Sequence, residues 1–329
     1  MNGQRSRLRL FGQALLRWEV FLAAVLIADL VLNSLISPYF LDPLTLSDAT
    51  FNFTEKALIA LPMALLIIGR EIDVSVAGTL ALSSVVMGFA AQQGLGTAVL
   101  VAMGLGTGAL CGAVNGLLVA SLRVPAIVAT IGTMSLFRGI AYGVLGDRVL
   151  KGYPPGFTWL GQGYVFGVVS FELLLFALCA LLFGCYLHLT IFGRRLYALG
   201  SNPVAAAYSG VRVTRYRFWL FVATGLASGA AAVLLTSRLG STRPSIAQGW
   251  ELEVISMVIL GGVAVAGGRG TIAGVVLAAM LLGFVTFGLG LKNIPGIVMQ
   301  IIVGVLLIVV VGLPALARRL GGAGARSQN

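Results

Sequence analysis

Apolar runs of about 17–25 residues follow one another along the chain, separated by short polar breaks, which is the pattern of helices that cross a bilayer. They lie near residues 19–37, 55–70, 74–92, 97–119, 125–146, 166–191, 218–238, 252–267, 272–290 and 295–315. The pattern predicts an all-α polytopic membrane protein of about ten transmembrane helices. Hydrocarbon leaves backbone polar groups no solvent, so helices that satisfy their own hydrogen bonds are the expected solution. Residues 1–18 read as an N-terminal tail, 19–316 as the transmembrane domain and 317–329 as a C-terminal tail.

Two spans break the pattern. Fifteen residues separate Glu253 from Arg269; they make about 22 Å of helix, short of a ~30 Å hydrocarbon core. Gly261, Gly262, Gly267 and Gly268 punctuate that stretch. The span after Asp73 opens on Glu71-Ile-Asp73-Val-Ser75, and Glu251-Leu-Glu253-Val-Ile-Ser256 echoes it. Val124-Pro125-Ala-Ile-Val128 is likewise echoed by Ile294-Pro295-Gly-Ile-Val298. Echoes that begin on opposite sides of the membrane are the sign of an inverted repeat, in which short or glycine-broken segments mark the transport path.

Composition fits this reading. The chain is 58% hydrophobic and 10% charged, with mean hydropathy +1.00, whereas soluble domains carry roughly 25% charged residues. The net charge of +11 is scattered over short loops and tails rather than gathered on a basic face, which argues against nucleic acid. An N-terminus inside the cell places fifteen basic residues on the cytoplasmic side and six outside, with Arg138 within a span. That bias predicts both termini inside. The run from Val20 to Ile36 is too long for a signal-peptide core and has no small-residue cleavage site, so it reads as a retained helix. Cys111, Cys179 and Cys185 lie in apolar segments without ligand spacing and read as buried small hydrophobes. The single histidine, His188, reads as a packing or interface residue. No metal site and no cofactor are expected.

Residues 193–217 are the polar exception, a loop with five arginines. Asn202 is a good N-cap, Pro203 suits the first helical position, Ala205 and Ala206 are strong helix formers, and Ser209-Gly210 can end the turn. A short ordered helix in water on the cytoplasmic side is the expectation, and such an element exists to touch something. Arg194, Arg195 and Arg212 beside it suit an acidic protein partner or anionic membrane lipid.

Intramembrane polar residues are functional candidates by default. Asn115, Thr130, Thr133 and Gln300 are uncharged hydrogen-bonding groups that suit a neutral hydroxylated solute, and interhelix hydrogen bonds account for them equally well. Asp73 and Ser75 sit where a helix begins; capping accounts for Asp73, and a role at a gate or on the solute path is the alternative for both. Arg70, Glu71 and Asp73 together suggest a charged cluster at the cytoplasmic mouth, while Asp29 and Glu172 are expected to reach interfacial water. The glycines at 104, 108, 112 and 116, and Gly270 with Gly274, recur every four residues, the spacing that lets helix backbones approach closely in lipid. Gly267-Gly-Arg-Gly270 has no preceding soluble strand and no Gly-Lys-Ser/Thr ending, so it is no nucleotide loop.

The loop also carries a resemblance. Gly193-Arg-…-Gly200-Ser-Asn202-Pro-Val-Ala205-Ala206-…-Ser209-Gly210-Val-Arg-Val213 resembles the coupling segment of ribose-type ABC importer permeases, a group serving ribose, xylose, rhamnose, galactosides and autoinducer-2. Ile72-Asp73-Val-Ser75-Val-Ala-Gly78 and the run Gly261-Gly262-…-Gly267-Gly268-Arg-Gly270-Thr-Ile-…-Gly274 agree with it, over about Leu58 to Val311. Gly69-Arg70-Glu71 departs from the family's glycine-rich approach by placing two charges there. The resemblance implies a non-enzymatic permease whose loop helix docks on a cytosolic ATPase. It further implies a second permease subunit, identical or paralogous, and a periplasmic binding protein that delivers solute. The competing class is an ion-coupled secondary carrier, which would need membrane carboxylates arranged along a path.

Overall fold

The structure, a computed structural model, describes residues 18–299, 301–305 and 308–309. Gln300 and both tails, apart from Trp18, lie outside the described residues. The helices are α1 (Trp18–Ile36), α2 (Pro43–Thr50), α3 (Thr54–Ile68), α4 (Val76–Gln92), α5 (Thr97–Gly116, continued by a π-turn Leu117–Ser121), α6 (Ala126–Leu145) and α7 (Pro155–Gln162). After them come α8 (Phe171–Leu189), α9 (Ile191–Ser201), α10 (Pro203–Tyr208), α11 (Val213–Leu239), α12 (Trp250–Leu260) and α13 (Ile272–Leu291). The chain is helical again at 296–299 and 301–305. Four two-residue strands, β1 (Leu150–Lys151), β2 (Tyr164–Val165), β3 (Val169–Ser170) and β4 (Ser241–Thr242), pair antiparallel as β1–β4 and β2–β3.

Among the described residues, six helices are long and apolar enough to cross a membrane: α1, α5 with its π-turn, α6, α8, α11 and α13. The bent pair α2–α3, with a 50° break, adds a seventh. Where hydropathy places a crossing at 252–267, α12 instead ends at Leu260. Eleven residues give about 16 Å, half a hydrocarbon core. Positive φ at Gly262, Gly267, Gly268 and Gly270 then folds the chain back on itself. α11 runs longer than the 218–238 apolar stretch, because the largely polar run from Val213 to Arg217 is helical as well, and arginine is a good helix former.

Glycine contacts set the packing. A Cβ on Gly108 would meet the Gly225 carbonyl oxygen at 2.4 Å, and one on Gly112 the Phe221 oxygen at 2.4 Å. α5 and α11 therefore touch backbone to backbone along the glycine row, where dispersion replaces the hydrophobic drive that lipid removes. α3 is buried along nearly its whole length and is clamped to α11 at both ends. Arg217 Nε lies 2.8 Å from Glu71 Oε1 at one end. At the other, Arg238 donates from Nε and Nη2 to the two Glu55 oxygens at 2.8 and 3.0 Å.

Several polar residues differ from their expected settings. Glu172 is fully buried at the start of α8, where it accepts a 3.0 Å hydrogen bond from Thr54; it does not reach water. Asp29 Oδ2 is buried as well. Cys185 is exposed on the surface of the chain, unlike buried Cys111 and half-buried Cys179. In the β2–β3 hairpin the Tyr164 hydroxyl donates to the Asp48 carboxylate, which holds the phenol up at about 12.

Candidate functional site: a coupling element and a buried polar knot

α9 and α10 build the polar element. Thr190 caps α9 through Gly193 N–H, and the chain turns at Asn202, whose Oδ1 accepts from Val204 and Ala205 N–H at 3.1 Å each. Pro203 takes the first helical position and Gly210, at φ 82°, ends the turn. Ala206 faces inward and is buried. Val204 and Tyr208, four residues apart, share the opposite face and are 65% and 90% exposed. They line a shallow groove of about 470 Å³ with Pro203, Ala207, Val213 and Arg217. Arg194, Arg195 and Arg212 are exposed on the same 193–217 segment. The helical spacing that puts Ala206 inside and Tyr208 outside was present in the sequence; the cap signal alone does not distinguish the faces.

This element is joined to the membrane helices by close backbone contact. At Gly200 a Cβ would stand 1.9 Å from the Ile68 carbonyl oxygen and 2.5 Å from Gly268 N. Gly268 N–H donates to the same Ile68 oxygen at 2.9 Å. Arg70 donates to the Ser201 carbonyl, and the Tyr197 hydroxyl to that of Gly270. The loop after α12 is itself closed by glycines: Gly261 packs on Gly274 and Val275, Gly262 on Trp18, and Gly270 on Val263. The end of α3, the end of α9 and the 261–270 loop thus form one joint.

Five of the six gate or path candidates also come together. Asp73 Oδ1 accepts from Ser75 N–H at 2.8 Å and from Ser75 Oγ at 2.7 Å. Asn115 Nδ2 lies 2.7 Å from Ser75 Oγ and 3.3 Å from Asp73 Oδ2, and Thr133 donates to Asn115 Oδ1 at 2.7 Å. Thr130 Oγ1 is 2.8 Å from the Ala126 oxygen and 3.4 Å from that of Ile72. All five are buried. Ser75, not Asp73, occupies the N-cap position of α4, and Asp73 ties the preceding loop to α5. The charged cluster expected of Arg70, Glu71 and Asp73 is split three ways: Arg70 goes to Ser201, Glu71 to Arg217 and Asp73 to Asn115. Gln300, the sixth candidate, lies outside the described residues.

A cavity of about 610 Å³ opens near the start of α3, lined by Lys56, Glu253, Ser256, Met257 and Thr286 among others. None of the described path candidates lines it.

With this geometry in place, the comparisons become informative. The family model of the branched-chain amino acid transport system / permease component matches residues 46–311. The chain belongs to that family. Its relatives include the Autoinducer 2 import system permease protein LsrD of Escherichia coli (strain SMS-3-5 / SECEC), 36% identical over 300 residues, covering 89% of this chain and 91% of the relative. The proteins of the same name in Escherichia coli (strain K12) and Shigella flexneri match to the same extent. No solved structure matches the chain. Membership makes this a multi-pass permease of the ABC importer class, a component that is not itself an enzyme. The resemblance read from the Gly193–Val213 segment therefore holds at the level of the family.

Proposed function

We propose that the chain is the membrane-spanning subunit of an ATP-driven importer for a sugar-like solute, autoinducer 2 being the first candidate. It sits in the bacterial inner membrane with both termini and the 193–217 loop in the cytoplasm. A cytosolic ATPase grips α10, a second permease subunit (identical or paralogous) completes the path, and a periplasmic binding protein delivers solute to the opposite face.

One observation carries the coupling: the capped helix α10 presents Val204 and Tyr208 outward while Gly200, in the last turn of the preceding α9, abuts the end of α3. Large exposed apolar side chains mark interaction sites, and a rigid joint converts a push on them into movement of a membrane helix. Arg194, Arg195 and Arg212 on the same segment suit an acidic partner or anionic lipid headgroups. The relatives' import of autoinducer 2, at 36% identity over most of both chains, supports the solute class. The echoes of Glu71-Ile-Asp73 in Glu251-Leu-Glu253 and of Val124-Pro125 in Ile294-Pro295 support the inverted repeat.

Reconstitution with the neighbouring ATPase and binding protein tests this reading. Uptake of autoinducer 2 should require ATP, and Tyr208→Asp should abolish both ATPase retention on an affinity column and uptake. Uptake driven by an ion gradient without the ATPase would overturn it in favour of the secondary carrier.

A further inference from the structure

Arg138 stands near the middle of α6 with no carboxylate in ion-pair range among the described residues. Its guanidinium is spent on backbone oxygens from two other parts of the chain. Nη1 donates to the carbonyls of Pro244 at 2.7 Å and Ile246 at 3.0 Å, and Nη2 donates to Ala77 at 3.0 Å. Ala77 is in the first turn of α4. Pro244 and Ile246 belong to the loop between β4 and α12, which hydropathy places in water.

The loop does not behave as a solvated turn. Pro244, Ile246 and Ala247 are buried, and Ala247 is held at φ 55°, a conformation that non-glycine residues rarely adopt. Its two ends are fixed independently. Thr242 is within 2.7 Å of Ser84 Oγ and 2.6 Å of the Tyr153 hydroxyl, and the Trp250 ring lies 5.0 Å under Lys56 Nζ. Between those ends, Arg138 supplies the side-chain hydrogen bonds that reach the loop from elsewhere among the described residues. The α4 end of the contact is firm, since a Cβ on Gly78 would meet the Met134 oxygen of α6 at 2.8 Å.

A planar fork that satisfies three carbonyls in one plane is a geometric device, and a lysine ammonium cannot reproduce it. We propose that Arg138 is the positioning residue that pins residues 244–247 as a plug against the α4–α6 pair, and that the plug leaves this guanidinium when the path opens there. The proposal builds on the permease reading and adds an element that closes the path beside the first turn of α4.

The test places a single cysteine in the plug, Ser245→Cys, in the full chain with Cys111, Cys179 and Cys185 changed to Ala, and follows its reaction with a membrane-impermeant maleimide. Arg138→Lys should raise the labelling rate at least tenfold in the absence of nucleotide, with the purified protein remaining monodisperse. Ile246→Ser, which leaves α6 untouched, should raise it in the same direction and decides the matter if the lysine variant does not fold. Unchanged labelling in the variants that fold overturns the proposal. In the complex with its ATPase, Arg138→Lys should also make hydrolysis insensitive to solute-loaded binding protein. A parent complex that is equally insensitive would count against the permease coupling, while the labelling comparison still decides the pin.

Discussion

A Cβ added to Gly200 would lie 1.9 Å from the carbonyl oxygen of Ile68, closer than any side chain can stand. The contact joins the last turn of the water-exposed α9 to the last turn of the buried α3, and both sides of it are backbone. Neither can yield as a flexible side chain would. Gly200→Ala should therefore separate the two elements at a cost of roughly 1–3 kcal/mol, the range for overpacking. The expected result is a folded permease that still binds its ATPase but transports at under a tenth of the parent rate; uptake and ATPase retention measured side by side check it.

On α10 the two faces should respond differently. Ala206 is buried, so Ala206→Leu should lower the thermal midpoint of the protein. Tyr208→Ala should leave that midpoint unchanged and weaken ATPase binding about tenfold or more, as loss of an exposed aromatic anchor does. Thermal unfolding and co-purification distinguish the two; equal effects at both positions would refute the assignment of faces.

The buried knot around Asp73 is testable by a double-mutant cycle. Asp73→Ala strands the Ser75 N–H and hydroxyl in a fully buried site and removes the longer of the Asn115 amide's contacts, at about 1–3 kcal/mol for each group left unsatisfied. Asn115→Ala should cost less once Asp73 is already gone, giving a coupling energy of about 0.5–3 kcal/mol. Additive losses would mean that the two side chains do not interact in the folded protein.

Glu55 is 1% exposed and depends on Arg238 for its charge balance. Arg238→Ala should destabilise by about 3 kcal/mol, because it leaves an uncompensated buried carboxylate. The double replacement Glu55→Gln with Arg238→Met should recover most of that loss. Denaturation in detergent, read by tryptophan fluorescence, measures both.

Much of this architecture was legible in the sequence, for reasons that differ by element. Hydropathy located the long helices because lipid imposes length and apolarity together. It misplaced the end of α12, where glycine conformation rather than polarity stops the helix. Asn202-Pro203 announced α10 because capping is local chemistry. The partners of Asp73 could be nominated by type, since a buried polar side chain needs another. That Asn115 and Thr133 would meet it, while Glu71 turned away to Arg217, depends on how distant helices pack. No local pattern encodes such pairings, and the same is true of Arg138, visible as a charge in lipid but not as a fork across three carbonyls.

The ion pairs Glu71–Arg217 and Glu55–Arg238 rivet α3 and α11 at top and bottom. The two arginines stand 21 positions apart on α11, about 31 Å of uninterrupted helix. Two antiparallel helices tied by ion pairs near each end, one of them through the loop that follows α3, resist sliding past one another. A push on the joint at Gly200 is therefore expected to move both ends of this pair together.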